Sequence, residues 1–447
     1  MKREVNRLCN AILPNQISGQ GLDLEAAEMS VRSSMHRVGA VFLEKLINAD
    51  GGGQCGAKIK CDAGHDTKFI NCRTKKVVTV LGKINVVRAY HYCSPCQTGV
   101  IPKDDLLDIA ETQFSPGVRR MMALVGAKES FDAGRDDLKI LAGINVTDKD
   151  VERISEAIGE GIEVCAKKNR QIVIDSNIIC NNVIPLLPKI KNLYAAMDGT
   201  GVPATKSETA GRKGKDKSGI AKTREAKLGV IFTQTNLNKE GKPVRDENST
   251  TYTGGIETKE EFGKRIFAEA LRRGALRAER FIVLGDGALW IWELTAEYFP
   301  KAIQILDFFH AAEYLAALAK IIHADNKVIQ DLWLDTQRTE LHDGDVENVI
   351  DAMKRIEPKG EVVSEELRTT LNYFENNRLR MRYAEYQKQG YFIGSGVMEA
   401  GCKTIVGQRL KQSGMRWTVR GANAIIALRC CQMSNQWEDY WENRAAA

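Results

Sequence analysis

Apolar residues in the first part of the chain recur mostly at helical spacing, with one short interruption. Between residues 22 and 48 an apolar side chain returns every three or four positions, which predicts an amphipathic helix. The interruption consists of two β-branched runs on either side of Gly82, which predict a pair of strands. Helical spacing then resumes, and we predict three further helices at about 116–126, 131–142 and 148–166.

From about residue 192 the pattern changes to short apolar runs that alternate with helical stretches. Strand-type runs lie at 193–197, 228–233, 280–285 and 302–307. Helical patterns lie between them at 258–273 and 289–298, and helices alone are predicted over 310–388, 396–412 and 421–436. Strands alternating with helices predict an α/β layer domain, here with a helical insertion late in the chain.

Composition places the chain among globular proteins without identifying its activity. The 447 residues are 27% charged with a net charge of +6, and no apolar run is long enough to cross a membrane. The charged start has no apolar segment behind it, so we expect no secretory signal peptide and a cytoplasmic protein. The eleven cysteines then indicate reduced thiols with a candidate metal site, not a disulfide framework.

Two aspartates directly follow predicted strands, and a glutamate opens a predicted helix. Asp198 and Asp286 each precede a glycine at a strand end, where ligands bind in α/β sheets. Glu399 lies in the first turn of the helix predicted over 396–412. Three carboxylates could hold two Mg²⁺ ions for an in-line displacement at phosphorus. The alternative is that each Asp-Gly pair only ends its strand in a turn.

Five long motifs, in order along the chain, support a family resemblance. They occupy residues 197–203, 223–229, 284–292, 305–310 and 394–403. In them the chain resembles the ISKra-type (Kra-four) family of bacterial insertion-sequence DDE transposases, over about residues 55–441. The resemblance implies an RNase H-like catalytic domain whose triad is Asp198, Asp286 and Glu399, with two Mg²⁺ or Mn²⁺ ions. Asp307 and His310 match an Asp-x-x-His element of Mutator-like relatives, which implies that they contact and position the triad residues. The alternative is that His310 only bonds Asp307 for structure.

A cysteine-rich segment between residues 54 and 101 predicts a structural zinc site. Cys93 and Cys96 have the C-x₂-C spacing of a zinc knuckle. The family resemblance aligns residues 61–65 with a Cys-x-Cys-Gly-His motif whose second cysteine is Ala63 here. The expected ligands are Cys61, His65, Cys93 and Cys96, with Cys55 or Cys72 as substitutes. The alternative is a β-hairpin with buried thiols and no metal.

Basic residues gather in two segments that adjoin the predicted acids. Residues 205–227 carry eight basic and three acidic side chains, and residues 403–420 carry five basic and no acidic ones. Such segments suit a phosphate backbone, although solvated surfaces have the same composition. The expected DNA contacts are Lys213, Lys215, Lys217, Arg224, Lys403, Arg409, Lys411 and Arg416, with Trp417 either stacked on a base or part of the core.

The predicted helices at 131–142 and 148–166 could form a helix-turn-helix or simply belong to a small bundle. In the first case Lys149 and Arg153 would face a DNA groove.

Together these features predict a bacterial, nucleoid-associated DNA transposase that binds its element's terminal inverted repeats and then cuts and joins strands on target DNA. Because two DNA ends must be brought together, we expect a homodimer or larger assembly on DNA. The alternatives are an RNase H-like nuclease or resolvase without joining activity, and a non-enzymatic zinc-ribbon regulator. The expected divisions are an N-terminal helical segment (1–53), a zinc-ribbon-like module (54–110), a helical DNA-binding module (111–170), a catalytic domain in two parts (190–310 and 391–447) and a helical insertion (311–390).

Overall fold

The structure is a computed structural model that describes residues 23–53, 59–176, 189–214, 219–358 and 360–443. These residues form two compact units, the first ending at Ala157 and the second spanning Ile158–Asn443. Both helices and strands are abundant, so the mixed α/β class predicted from the sequence is confirmed. No helix in the described ranges is both long and apolar enough to cross a membrane.

The first unit combines helices with a small antiparallel sheet. Its elements are α1 (Leu24–Ile47), β1 (Lys68–Thr79), β2 (Gly82–Cys93), β3 (Thr98–Val100), α2 (Pro102–Leu106), α3 (Pro116–Lys128), α4 (Phe131–Ala142) and the first part of α5 (Asp148–Ser176).

The strand pair predicted around Gly82 is present and longer than the apolar runs suggested. β1 and β2 form an antiparallel hairpin in which Thr79 lies opposite Gly82, and Gly82 has a φ of 128°, which suits glycine in the turn. Val77, Ile84 and Val86 point to one face and pack with Ala40 of α1. The helix predicted over 22–48 is present, and it packs on this sheet through Ala40, Leu43 and Ile47. The apolar stripe from which it was predicted is not the packed face, because Val31, Met35, Phe42 and Leu46 are exposed.

Helix ends in this unit follow the local chemistry of the sequence. Ser115 accepts a hydrogen bond from the backbone N–H of Val118 and so caps α3. Gly143 ends α4 in the left-handed conformation with a φ of 67°. Thr147 and Asp150 exchange the reciprocal hydrogen bonds of a capping box at the start of α5. α5 continues to Ser176, ten residues beyond the predicted end.

The second unit contains a five-stranded sheet with helices around it. After the end of α5 its elements are β4 (Ile190–Pro203), α6 (Lys206–Thr209), β5 (Thr223–Gln234), β6 (Asn236–Leu237), β7 (Pro243–Val244), β8 (Thr251–Gly255), α7 (Lys259–Arg272), β9 (Ala278–Gly285), α8 (Leu289–Tyr298), β10 (Ile303–Leu306), α9 (Phe308–Ile322), α10 (Lys327–His342), α11 (Val346–Lys354), α12 (Glu361–Asn377), α13 (Tyr383–Lys388), α14 (Gly396–Gly401), α15 (Gln408–Leu410), α16 (Val419–Met433) and α17 (Trp437–Asn443).

The strand order in this sheet is β10-β9-β4-β5-β8. β5 runs antiparallel to both β4 and β8, whereas β9 runs parallel to both β4 and β10. The central runs of β4, β5 and β9 are fully buried, as expected for strands covered on both faces. Four of the strands were predicted, and the edge strand β8 was not.

The C-terminal helices return to the central strand. The helix predicted over 396–412 is divided by a π-helical segment, Cys402–Gly407, that separates α14 from α15. Beyond α15 the chain forms a β-bridge to the end of β4: the backbone N–H of Trp417 donates to Pro203 O at 3.0 Å, and that of Thr205 donates to Trp417 O at 3.0 Å. The segment after Glu399 is thereby held beside the strand that carries Asp198.

Candidate functional site

Two of the three predicted acids lie side by side at one edge of the sheet. In the parallel pair β4–β9, Met197 lies beside Gly285, which is the last residue of β9. Asp198 and Asp286 are the next residues along the sequence, so they stand at the same level of the sheet. Asp286 follows the end of β9 as predicted, whereas Asp198 lies within β4, which continues to Pro203, and pairs with Leu228 of β5. The register of β4 and β9 therefore places these two aspartates next to each other.

The surroundings of Asp198 disfavour the charged form of its carboxyl. Burial raises the pKa of the Asp198 carboxyl, and the negative charge of Asp286 raises it further. The Cys402 thiol donates a hydrogen bond to Asp198 Oδ2 at 3.2 Å, and this bond and the nearby His310 lower the pKa in part. A carboxyl whose charged form is disfavoured by burial and by a neighbouring carboxylate is typical of a site that holds a cation or works in acid–base chemistry.

This electrostatic cost predicts that Asp198→Asn stabilises the protein when no divalent cation is added. A raised pKa in the folded state means that the folded protein binds the proton more tightly than the unfolded chain. The charged carboxylate therefore lowers the free energy of unfolding as the pH rises above about 3.9, the ordinary Asp value. We expect the variant to melt at a higher temperature at neutral pH, with the gain disappearing below about pH 4. The exposed Asp325→Asn is the control, and an unchanged melting temperature for Asp198→Asn would contradict the prediction.

The helical insertion fixes the backbone around Asp286. The Tyr373 hydroxyl of α12 donates to the Asp286 carbonyl at 2.8 Å, and the Tyr314 ring of α9 stacks on Tyr373 with ring centroids 4.0 Å apart. Burial and then the charge of Asp286 raise the pKa of Tyr314, which shows that Asp286 acts electrostatically on this helix. The insertion therefore supports the site instead of only extending away from it.

The Asp-Gly turn chemistry that was the alternative reading is also present at Asp286. Asp286 Oδ1 accepts a hydrogen bond from the backbone N–H of Ala288 at 2.9 Å, and Gly287 has a φ of 99°. A Cβ on Gly287 would lie 2.6 Å from the Tyr373 ring, so glycine is required here for space as well as for conformation. The turn holds the carboxylate at the sheet edge, and the two readings are compatible.

Asp307, the residue after β10, forms hydrogen bonds with the starts of two helices, α9 and α14. Leu306 pairs with Gly285, so Asp307 stands beside Asp286 in the same row of strand ends. Its buried carboxylate accepts the backbone N–H of His310 at 2.9 Å and the backbone N–H of Ser395 at 2.5 Å. The first bond caps α9, and the second anchors the loop that leads into α14 and Glu399.

The His310 imidazole does not bond to Asp307. Its Nδ1 lies 3.5 Å from a carboxylate oxygen of Glu313, and the ring is partly exposed. The link between Asp307 and His310 is thus a backbone cap, while the ring itself is close enough to Asp198 to lower the pKa of that carboxyl.

We expect Asp307→Ala to loosen the entry to α14 as well as to destabilise the protein. Loss of a helix cap costs about 0.5–2 kcal/mol, and the bond to Ser395 is lost with it. Asn326→Ala is a matched control, because Asn326 caps α10 in the same way but does not contact Ser395. Hydrogen exchange over residues 392–401 should accelerate in Asp307→Ala only. Equal acceleration in both variants would show that Asp307 acts merely as a cap.

Glu399, the third predicted acid, is exposed on α14. Cys402 lies three residues later, on the same side of the helix, and contacts Asp198. Glu399 itself makes no side-chain hydrogen bond or ion pair to a described residue. Across the described residues, one group of three or more potential ligands has all its ligand atoms within 4.8 Å, and it is not the acid triad. The structure thus brings together Asp198 and Asp286, whereas Glu399 is exposed and is connected to them only through Cys402, three residues further along.

That group is Cys61, His65, Cys93 and Cys96, the set predicted for zinc. A tetrahedral zinc ion with Zn–S distances of about 2.3 Å places two sulfur ligands about 3.8 Å apart. Cys61 Sγ and Cys96 Sγ are 3.8 Å apart, and His65 Nδ1 is 3.1 Å from Cys96 Sγ. The donor set and its spacing therefore fit a zinc ion.

Hydrogen bonds around Cys61 favour its thiolate, which is the form that binds a metal. Burial raises the pKa of the Cys61 thiol, but hydrogen bonds from the backbone N–H groups of His65 and Ala63 and from neighbouring thiols outweigh it and bring the pKa to about 7. Ala63 thus contributes its backbone where the related motif has a second cysteine. Of the two substitutes, Cys72 is exposed on β1 opposite Ala89 and outside the group, and Cys55 lies outside the described residues.

The first basic segment is only partly described. Lys213 forms a β-bridge with Ile220, while Lys215 and Lys217 lie outside the described residues. Arg224 donates to the Glu208 carbonyl at 3.2 Å and lies 3.7 Å from its carboxylate. Arg224 therefore has a structural partner, which leaves less of its charge available to a phosphate.

The second basic segment corrects one expected DNA contact. Lys403, Lys411 and Arg416 are exposed, but Arg409 is fully buried, with its guanidinium 5.0 Å from the Trp417 ring centroid. A group without solvent access does not reach a DNA phosphate, so in this structure Arg409 belongs to the core. Trp417 is also buried and donates from Nε1 to the Leu410 carbonyl at 3.1 Å, which favours the core reading over base stacking.

In the first unit, the two candidate groove residues are both exposed at the start of α5 and both paired. Lys149 forms an ion pair with Glu152 at 2.6 Å, and Arg153 forms one with Asp150 at 3.3 Å.

The sequence analysis missed two contributors to the site, Cys402 and Tyr373, and for a third, Lys411, it predicted a DNA contact but not the contact with Thr200. Cys402 could have been found, because it lies three residues after Glu399 and so shares its helix face. Tyr373 lies 87 residues from Asp286 in a region with only helical periodicity, and nothing in the sequence singles it out. Lys411 donates to Thr200 Oγ1 at 2.6 Å, which brings a cation to the end of β4 in a way that depends on the tertiary fold.

Comparison with known proteins gives limited similarity. Residues 257–443, less than half of the chain, match an uncharacterised protein family, UPF0236. Among solved structures, the chain is similar to the Drosophila P element transposase strand transfer complex, with 10% sequence identity over 59% of this chain and 70% of that chain, at a TM-score of 0.21. A similarity of that size supports no inference about fold or function. No curated protein matches the sequence.

Proposed function

We propose that the chain is a DNA transposase that cuts and joins DNA strands with Asp198, Asp286 and Glu399. The observation that carries the proposal is the β4–β9 register, which sets Asp198 beside Asp286 at one level of the sheet. The raised pKa of Asp198, caused by burial and by Asp286, supports a shared task for the two carboxylates.

The topology of the sheet supports an RNase H-like fold for this unit. Three antiparallel strands are followed by two strands parallel to the first of them, and the first strand, β4, is central and bears an acid. The second acid follows the adjacent parallel strand. Glu399 comes after a set of helices inserted behind β10, in the order that the family resemblance implies.

The donor set of the proposed site fits Mg²⁺ or Mn²⁺. Both aspartates offer carboxylate oxygens, which these cations prefer, and the repulsion between the two charges favours a cation between them. We assign Glu399 as the third carboxylate, since its exposed side chain can turn towards the pair. Two bound cations would stabilise the attacking and leaving oxygens of an in-line displacement.

The other residues of the site position the DNA and the acids. Lys411 is held at the end of β4 by Thr200, and Lys403 and Arg416 are exposed on the same basic segment, where they can neutralise phosphates. Asp307 holds the loop before Glu399 in place. In the proposed reaction water attacks the strand first, and the freed 3′-hydroxyl then attacks target DNA.

The proposed partners follow from this chemistry. The chain would bind the terminal inverted repeats of its own element and a target DNA, as a homodimer or a larger assembly, on the bacterial nucleoid. The Cys/His group would hold one structural zinc ion in the N-terminal unit.

The test uses DNA fragments from either side of the gene that encodes the chain. Purified protein with Mg²⁺ or Mn²⁺ should nick these fragments and join the resulting 3′ ends to a supercoiled plasmid. Joining is the decisive readout: cleavage without joining of pre-cut ends would favour the nuclease or resolvase alternative. Binding without either reaction, under both metals, would favour a non-enzymatic regulator.

A further inference from the structure

A cleft in the first unit brings cations from three elements together. It has a volume of about 360 Å³ and lies between α1, the β1–β2 turn and the C-terminal end of α4. Arg32, His36 and Arg37 come from α1, Lys83 from β2 just after the turn and Lys139 from α4. None of the sixteen described residues that line the cleft is an acid, so its walls carry only positive or neutral side chains.

The cleft has a fixed inner wall and an exposed rim. Arg32 is half-buried and its guanidinium donates to the carbonyls of Ile140 and Leu141 in the last turn of α4, which joins α1 to α4. Arg37, Lys83 and Lys139 are exposed. No ion pair joins these three to a described carboxylate, in contrast to Lys149 and Arg153 on α5.

We propose that this cleft binds the phosphate backbone of DNA. Unpaired cations on three separate elements suit a polyanion whose successive phosphates lie along the rim. A compact site for a free phosphate would instead use buried charges or backbone N–H groups that converge on one ion. Apolar side chains also line the cleft, among them Met29, Val80 and Ile140, and they suit the sugar edges between phosphates. The inference concerns binding only and stands whether or not the chain cuts and joins strands.

The test compares two double variants of the full-length chain with equal loss of charge. Lys83→Gln with Lys139→Gln removes two rim cations of the cleft. Lys45→Gln with Lys128→Gln removes two exposed lysines of the same unit that do not line it. Arg32 is left intact, because its bonds to α4 are structural. Fluorescence anisotropy with a mixed-sequence DNA duplex, without added divalent cation, measures affinity over a range of salt concentrations.

We expect the cleft variant to bind DNA about tenfold more weakly at about 0.15 M salt, with the slope of log affinity against log salt lower by about two. The control should keep both values. An unchanged slope in the cleft variant, or an equal loss in the control, would overturn the proposal.

A second measurement distinguishes the source of the phosphate. Inorganic phosphate and ATP are added to the wild type and to the cleft variant, and the melting temperature is recorded. Stabilisation of the wild type alone at millimolar ligand, combined with unchanged DNA affinity of the variant, would identify a site for free phosphate and would also overturn the proposal. Little stabilisation by either small anion agrees with a DNA site.

Discussion

Replacing either aspartate of the pair by asparagine should abolish both DNA cleavage and strand joining. Asp198→Asn and Asp286→Asn keep the size of the side chain and its hydrogen-bonding oxygen but remove the charge that attracts a cation. Loss of metal-based charge stabilisation is worth several kcal/mol, so we expect the rate to fall by about 10³-fold or more. DNA binding should stay nearly unchanged, because we assign it to the basic segments and the N-terminal unit. Cleavage and joining of labelled DNA ends, beside an anisotropy measurement of binding, separate the two effects.

Asp325→Asn is the matched control, because it removes one exposed carboxylate from the helical insertion. The double variant of Asp198 and Asp286 should be no worse than either single variant, since groups that act as a unit give non-additive losses. Glu399→Gln should have the same effect as the aspartate variants. A Glu399→Gln protein that still joined a pre-cut end to target DNA would place the third carboxylate elsewhere.

Removing one cysteine of the Cys/His group should release a zinc ion and loosen the loops that carry its ligands. Zinc-finger peptides gain about 10–16 kcal/mol from metal binding, so most of the order in such loops depends on the ion. The β1–β2 hairpin has its own apolar contacts with α1 and should persist. We therefore expect Cys93→Ala to lose about one zinc per chain. Faster hydrogen exchange should follow around residues 59–67 and 93–98.

Cys72→Ala is the control for this experiment, since Cys72 is exposed on β1 of the same sheet and lies outside the group. Metal analysis of chelator-washed protein should give the same zinc content for this variant and for the wild type. Retention of zinc by Cys93→Ala, or its absence from the folded wild type, would refute the assignment.

The sequence predicted the helices and strands whose apolar pattern is regular. The runs that became β4, β5 and β9 are buried on both faces, so a continuous apolar stretch marked each of them. β8 was missed because Thr251–Gly255 has threonines and glycines in place of an apolar run. It is a strand because its backbone pairs with the edge of β5 that β4 leaves free, and this pairing exists only in the folded sheet.

The parts of the candidate site that are formed by residues close together in the sequence were predictable. The Cys/His group depends on a C-x₂-C turn and a short loop, and the sequence predicted all four of its members. Arg409 was misassigned, because a basic run suggests solvent exposure and only packing against Trp417 and Met415 reveals the burial. The links from Cys402 to Asp198 and from Tyr373 to Asp286 join distant parts of the chain, which no spacing rule can supply.

β4 is the middle strand of its sheet and yet the first of the five to be synthesised. Its parallel neighbour β9 follows only after β5 and β8, and the segment that bridges to its end, around Trp417, comes later still. On a growing chain Asp198 is therefore made well before Asp286 and before Glu399. Until the ribosome has added the segment after the helical insertion, Glu399 cannot join Asp198 and Asp286, so the proposed triad stays incomplete on a nascent chain.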